Sequence, residues 1–525
     1  MYSNNFSNLS RKANKKQYKK NNYFNFNQAF NSTLTQNNLI MERRKFLKKA
    51  STSGLALTIV PSIAVSGLGH TAPSDKLNIA GIGIGGKGSV NLRNMVGQNI
   101  VALCDCDFDY AKHVFDTYPK AKKYKDFRIM LEKQKDIDAV VIATPDHTHT
   151  LPAAAAMELG KHVYLQKPLT HSVWESRYLT KLAKKTGVVT QMGNEGHSSD
   201  TVYEVAEVVH SGCLGTIKEA HVWTNRPIWR QGMPKPLKAV AIPDTLDWDL
   251  FIGPAKMRDY NPEYHPWIWR GWWDFGTGAL GDMGCHLLDV PNYALQLGHP
   301  VAFQASSSLV NTESAPVSAK VTYKFAARKN LPYCALPELE LTWYDGGLMP
   351  YRPFDLPNDA PMNPGGGFML VGSEGVLIAE SYGHNWKAYK DGKEFKPQTK
   401  VNLGRIPDSP QGGGRHEMHF VDCCKNGGTP ASNFEYAGPF NEMVVMGNLA
   451  VRMQSLQKTL EWDSENMKVT NIGASEKLKT ARLLPYSSDI VTRKVDSDSV
   501  QWEEQNALEM CNEWVKHEYL NGWKL

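Results

Sequence analysis

The chain has 525 residues, 42% hydrophobic, 10% aromatic and 21% charged, which suits a soluble protein of two domains plus extra segments. Its formal charge of +6 is misleading as a sign of nucleic-acid binding, because residues 1–50 hold 11 of the 59 Lys+Arg and one of the 53 Asp+Glu. The remainder carries 48 bases against 52 acids, so the body is mildly acidic and nucleic acid is not an expected partner. The eight cysteines form no Cys-x-x-Cys pair, which argues against a zinc ribbon or a disulfide scaffold. Cys104, Cys106 and Cys285, in apolar or glycine-rich surroundings, are expected as free thiols.

Residues 1–40 are rich in Asn, Lys, Tyr and Ser without an apolar period, and disorder or a mis-annotated leader is expected there, with Met41 as the true start. Residues 41–75 read as a twin-arginine signal peptide and linker. Arg43-Arg44-Lys45-Phe46-Leu47-Lys48 precedes a short apolar stretch interrupted by Pro61, then the polar Thr71 to Asp75. Export to the periplasm is therefore expected. A lipobox cysteine is missing, and the apolar stretch is too short for a stable membrane anchor.

The next elements alternate strand and helix. Leu77 to Ile84 is an apolar strand running into Gly81-x-Gly83-x-x-Gly86, with a helix from Ser89 to Met95. Such glycines permit a tight turn and close approach of backbone N–H groups to a pyrophosphate. A second strand, Ile100 to Cys104, ends at Asp105, 24 residues past Gly81. A carboxylate there accepts ribose hydroxyls and repels a 2′-phosphate, which favours NAD over NADP. Strands at 137–144, 162–165 and 188–192 alternate with helices at 151–159 and 173–185. This pattern predicts an α/β fold whose N-terminal half, residues 76–195, is a Rossmann doubly wound parallel sheet.

Thr144-Pro145-Asp146-His147-Thr148-His149 and Gly160 to Pro168, containing Gln166-Lys167-Pro168, resemble the glucose–fructose oxidoreductase / inositol dehydrogenase / rhizopine-catabolism (Gfo/Idh/MocA) family. That family's pattern is Thr-Pro-Asn-x-x-His and Glu-Lys-Pro, so Asp146 and Gln166 are departures. The resemblance implies that Thr144, Pro145, His149, Gln166 and Lys167 face the cofactor, and that Lys167 also assists proton transfer at a substrate hydroxyl. Gly281-Asp282-Met283-Gly284-Cys285-His286-Leu287-Leu288-Asp289 resembles the family's Asp-x-Gly-x-His-x-x-Asp segment. Asp282 and His286 share one helix face at a spacing of four. By the resemblance, Lys167, Asp282 and His286 are catalytic and Asp289 binds substrate.

His265 to Phe275 is crowded with tryptophan, and Trp267, Arg270 and Trp272 are candidate sugar-binding residues, with Asp274 a further hydroxyl partner. The competing reading is an apolar clamp between domains. Asn194 and His197 follow the last Rossmann strand and are candidates for the cleft wall. His416-Glu417-Met418-His419 lacks zinc-protease spacing and starts an amphipathic helix, so no metal is expected. The triplets Gly365 to Gly367 and Gly412 to Gly414 read as mobile loops. Alternating segments at 320–325 and 339–344, with apolar runs at 368–372 and 375–378, predict an open, mainly antiparallel sheet in a C-terminal α/β domain, residues 196–480. Residues 481–525 are expected to pack on the body as a tail, helical from Asn506.

These signals point to an NAD(P)-dependent oxidoreductase acting on a small carbohydrate by hydride transfer. Tight cofactor retention is expected if the protein works outside the cell. The alternatives are an NAD-dependent glycoside hydrolase using transient oxidation and elimination, and a non-catalytic carbohydrate-binding protein. Homo-oligomers are expected on the resemblance alone.

Overall fold

The computed structural model describes residues 75–236, 238–353, 356–484 and 500–525. The twin-arginine segment and the leader lie outside the described residues.

Six parallel strands form the first sheet: β1 (Asn78–Ile82), β2 (Asn99–Cys104), β3 (Lys122–Tyr124), β4 (Ala139–Ile142), β5 (His162–Leu165) and β6 (Thr190–Met192). Their order, β3-β2-β1-β4-β5-β6, reverses direction between β1 and β4. That reversal opens a crevice at the carboxyl ends of the strands. Helices cover both faces, so central strands such as β4 (AVVI) are buried throughout. The helices are α1 (Ser89–Asn94), α2 (Lys112–Thr117), α3 (Phe127–Lys133), α4 (Thr150–Glu158) and α5 (Val173–Thr186). The start of α5 is fixed by a capping box between Ser172 and Glu175, and its end by Gly187 at φ 68°. The sequence reading lacked α2, α3 and β3: the buried apolar residues of α2 and α3 are few, and β3 is a three-residue edge strand.

After α6 (Asp200–His210) the chain enters a ten-stranded sheet through β7 (Ile217–Thr224). Then come α7 (Trp248–Ile252), α8 (Gly278–Leu287), α9 (Asp289–Leu295), β8 (Ala302–Ser307), β9 (Ala319–Phe325), β10 (Leu339–Tyr344), β11 (Gly366–Gly372), β12 (Val376–Glu380), β13 (Lys387–Lys390) and β14 (Lys393–Phe395). β7 pairs in parallel with β10 and antiparallel with β11, and every other pairing in the sheet is antiparallel. Gly366 and Gly367 are thus strand residues rather than a mobile loop. A side chain at Gly367 would run into the Ala379 carbonyl of the paired strand.

The chain then returns to the Rossmann half. α10 (Arg415–Asn426) buries Met418, Phe420 and Val421 in the same cluster as Ile79, Leu103 and Val141. α11 (Phe434–Met453) lies between the halves, and its Glu442 takes a bidentate ion pair from Arg177 of α5 at 2.7 Å per contact. Residues 415–453, from the C-terminal part of the chain, thus pack back on the Rossmann half. β15 (Leu460–Asp463) and β16 (Lys468–Val469) finish the large sheet, and β17 (Lys477–Leu483) pairs with β18 (Val500–Asn506). The closing helix α12 (Ala507–Val515) is capped by Asn506 and buries Cys511 and Trp514. All eight cysteines are free thiols. Among the described residues, no helix is long and apolar enough to cross a membrane, and no group of His, Cys, Asp and Glu is arranged to hold a metal.

Candidate active site

A cavity of about 660 Å³ lies at the carboxyl ends of the Rossmann strands and is walled on the far side by loops of the second domain. Gly83, Gly85, Gly86 and Lys87 line it from the β1–α1 loop. Gly83 has φ 74°, and a Cβ there would sit 2.6 Å from the Thr144 backbone nitrogen, so only glycine lets β1 turn this close to β4. Gly81 lies outside the lining. A Cβ on it would meet Ile84 and Leu92 at 2.7 and 2.9 Å, so its role is to pack the strand against α1.

At the end of β2, Asp105 lines the cavity while its Oδ2 accepts the N–H groups of Ile84 and Gly85 at 2.8 and 3.0 Å. Burial pushes this carboxyl up to about 6, against the opposing pull of those backbone donors. At the end of β4, Thr144 and Pro145 face the cavity, and the buried Thr144 Oγ1 has no hydrogen-bond partner among the described residues. A glycine cradle, a carboxylate beyond it and an orphaned hydroxyl fit a dinucleotide, with its pyrophosphate at the loop and a ribose near Asp105.

His149 does not join them. Its Nδ1 and Nε2 each lie 2.8 Å from a backbone carbonyl, of Pro168 and Thr144 respectively, so it staples the β4 and β5 turns together. Asp146, where the family pattern has Asn, lines the cavity but turns its Oδ2 to the Thr277 N–H at 3.0 Å and hydroxyl at 2.6 Å, holding the start of α8. Burial pushes Asp146 up to about 6.

Beyond β5, Gln166 and Lys167 line the cavity. Lys167 Nζ donates to the Asp282 carbonyl at 2.7 Å and to its Oδ1 at 2.9 Å, and Arg270 Nε donates to the same Oδ1 at 3.2 Å. Burial opposes ionisation of Asp282, but the two cations outweigh it and hold the carboxyl at about 2. The Arg270 guanidinium sits 4.2 Å from the Trp267 ring and 4.3 Å from the Trp269 ring, which fixes it over the cavity. One turn along α8, His286 is pushed down to about 3 by burial and then by the Lys167 charge. Its imidazole is therefore neutral, and its Nδ1 is buried without a partner among the described residues. Burial thus makes His286 a weaker base than a free imidazole.

Gln166 Nε2 donates to Asn91 Oδ1 at 2.9 Å, and Asn91 in turn donates to Glu417 at 2.8 Å and Glu195 at 3.1 Å. Burial and the neighbouring Glu195 push Glu417 up to about 7. A carboxyl thus stands behind Gln166, supplied by α10. His416, beside it, is committed to Ser198 Oγ at 2.7 Å and the Met192 carbonyl at 2.8 Å.

Two proposed sugar-binding residues sit elsewhere. Trp272 is buried in an aromatic core, its Nε1 donating to the Glu263 carbonyl at 2.8 Å. Asp289 is buried with His197 Nδ1 at 2.8 Å, the Tyr436 hydroxyl at 2.7 Å and Asn194 at 3.2 Å, away from the cavity. Asn194 and His197 are therefore structural as well, and Asp274 pairs with Arg258 at 2.6 Å. The tryptophan-rich segment divides: Trp267, Trp269 and Arg270 face the cavity, whereas Trp272 and Phe275 form the clamp.

The sequence reading also missed residues. Tyr382 lines the cavity at φ 60°, its ring 5.3 Å from His286 and packed on Gly196. A left-handed conformation is uncommon for an aromatic residue and marks a site held by its surroundings. Here the Thr201 hydroxyl holds the Tyr382 carbonyl at 2.7 Å. Trp229, Glu195 and Trp523 line the cavity too, from segments without a recognisable motif.

Comparison with known proteins agrees with this geometry. A model of an oxidoreductase family, NAD-binding Rossmann fold, matches residues 77–194, and the model of that family's C-terminal alpha/beta domain matches residues 198–331. D-glucoside 3-dehydrogenase of Escherichia coli is 27% identical over 196 residues, 37% of this chain and 46% of that protein. A Glycosyl hydrolase family 109 protein of Shewanella pealeana is 29% identical over 204 residues, 34% of this chain and 44% of that protein. The chain spans less than half the length of the curated relatives it matches. The WlbA dehydrogenase of Chromobacterium violaceum, solved with NADH and UDP-GlcNAcA, shares the fold at 15% identity with a TM-score of 0.52, covering 78% of this chain and 99% of that one.

Proposed function

Because the chain belongs to the Gfo/Idh/MocA oxidoreductase family, with its NAD-binding Rossmann domain at residues 77–194, we propose that it oxidises a hydroxyl-bearing carbon of a sugar or sugar derivative with a tightly held NAD. The observation that carries this reading is the cluster of Lys167, Asp282, Arg270 and His286 in the same cavity as the glycine loop. NAD, when bound, supplies the hydride acceptor. The remaining work falls to the chain. Lys167, oriented by Asp282, places its ammonium where a hydroxyl develops alkoxide character and stabilises that charge. Neutral His286 offers an acceptor for the hydroxyl proton. Trp267 and Trp229 present apolar faces to the sugar ring. Asp105 favours NAD over NADP. We place the reaction outside the cytoplasm, on the support of the twin-arginine segment; a free nicotinamide pool is not expected there, which favours a retained cofactor.

A second reading is redox-neutral glycoside hydrolysis, begun by the same hydride removal and completed by elimination, hydration and re-reduction. The likeness to the Glycosyl hydrolase family 109 protein favours it. One assay tests both: the full chain is mixed with NAD and a panel of hexoses, inositols and aryl glycosides, following NADH absorbance and free phenol. Sugar-dependent NADH supports the oxidoreductase, and phenol release without net NADH supports the hydrolase. Neither signal across the panel, from a protein that binds no NAD, contradicts the proposal.

A further inference from the structure

The order of the strand ends sorts the cavity. Lys167 follows β5 and Thr144 follows β4, whereas Asp105 follows β2 and Lys125 to Phe127 follow β3. A dinucleotide laid across the reversal point with its reactive ring at Lys167 has its adenosine half over β2 and β3. At that far end the cavity wall comes partly from the last residues of the chain. Trp523 lines the cavity beside Phe127, the two rings stacked with centroids 5.9 Å apart and planes 23° from parallel. The Arg128 guanidinium, fixed by Asp126, sits 4.1 Å from the Trp523 ring.

The segment carrying Trp523 is tied to both halves of the protein. Tyr519 hydrogen-bonds Glu175, the capping-box partner of Ser172 at the start of α5. The Leu520 N–H donates to the Pro254 carbonyl at 3.0 Å, and Asn521 Nδ2 donates to the carbonyls of Gly253 and Ala255 at 2.9 and 2.8 Å. Gly253 lines the same cavity. Residues 519–523 therefore run as a strap from the start of α5, past the second-domain loop at residues 253–255, to the start of α3, where Trp523 reaches the cavity. Its root is firm, since Trp514 of α12 packs on Trp273 at 5.2 Å and under Arg452 at 3.5 Å. A purely structural tail has no need to expose a stacked pair of aromatic rings to a cavity, whereas a planar base is bound by such a surface.

We infer that this C-terminal strap is part of the nucleotide site: Trp523, backed by Phe127, contacts the adenine and slows release of the dinucleotide. The inference rests on reading the cavity as an NAD site. Its test uses the full chain, freed of co-purified nucleotide, with three probes: NADH, ADP-ribose and reduced nicotinamide mononucleotide. Affinities and NADH release rates are measured for the wild type, Trp523→Ala, Trp523→Phe and Asn521→Ala. Trp523→Ala is expected to weaken NADH and ADP-ribose about tenfold, the size of one base–aromatic contact, and to leave the mononucleotide unchanged. Trp523→Phe is expected to recover most of that loss. Asn521→Ala, which keeps the ring but frees the strap, is expected to speed NADH release. Wild-type affinity for ADP-ribose in Trp523→Ala overturns the role of the strap while leaving the cofactor reading intact. An equal loss for all three probes also overturns it, as a general distortion. A wild type that binds none of the three overturns both.

Discussion

Lys167 Nζ touches Asp282 twice, at the carbonyl and at Oδ1, although 115 residues separate them in the chain. One contact is with backbone, so the ammonium is positioned by the α8 helix itself and not only by a charge partner. Lys167→Ala is expected to lower kcat by about 10²–10³-fold, the scale for losing one preorganised donor at a developing oxyanion. NAD affinity should change little, because the glycine loop and Asp105 are untouched. Steady-state kinetics with isothermal titration of NAD separates the two.

Asp146 is raised to about 6 from an ordinary 3.8 by burial. A carboxyl raised on folding contributes its full stability below the unfolded value and loses it as pH climbs through the folded value. The wild type should therefore lose stability between about pH 4 and 6 through this residue. Asp146→Asn, which restores the family's residue and can still accept from Thr277, should remove that slope. It is expected to be more stable than wild type by about 3 kcal/mol at pH 7 and near parity at pH 3.5. Urea melts at the two pH values read the difference.

Asp282 behaves in the opposite sense. Its carboxyl is held at about 2, below the ordinary 3.8, by Lys167 and Arg270 in spite of burial. The stability it contributes is present above about pH 4 and falls away as pH drops toward 2. Asp282→Asn should flatten that acid limb, seen in melts from pH 5 to 2, and should also lower kcat because Lys167 loses its carboxylate.

In the proposed NAD site Asp105 is the group that selects against a 2′-phosphate. Asp105→Ser removes that carboxylate, and the NAD-over-NADP preference should narrow by about tenfold. The loop N–H groups of Ile84 and Gly85 lose an acceptor in the same variant, so NAD affinity should fall as well. Paired titrations with NAD and NADP read both effects.

At Gly83 the backbone itself is at stake, since φ is 74° and a Cβ would sit 2.6 Å from the Thr144 nitrogen. Gly83→Ala is expected to cost about 1–3 kcal/mol of stability through overpacking and a left-handed alanine, and to abolish NAD binding. Gly187→Ala shares the positive φ but meets nothing within 4 Å, so it should cost only about 1–2 kcal/mol and leave binding intact.

What was legible in the sequence was local. Buried parallel strands are written as apolar runs, and the glycine loop, Asp105 and the Lys167 turn are contiguous motifs. Asp289 shows the limit of a motif: its segment is helical as expected, yet its carboxylate is engaged by His197 and Tyr436 and does not line the cavity. Trp269 and Trp272 are three residues apart and both belong to the aromatic core, and only tertiary packing decides that Trp269 also lines the cavity. Tyr382, Glu417 and Trp523 reach the Rossmann half from distant parts of the chain, so their roles depend on tertiary contacts that no short pattern encodes.

The central claim is most directly tested by denaturing the purified protein and identifying any released nicotinamide by mass spectrometry. Stoichiometric NAD or NADH is the result the account predicts, and it would direct the substrate search to assays without added cofactor. A protein that releases none, and that afterwards fails to take up added NAD or NADP, would contradict the oxidoreductase and the hydrolase readings together.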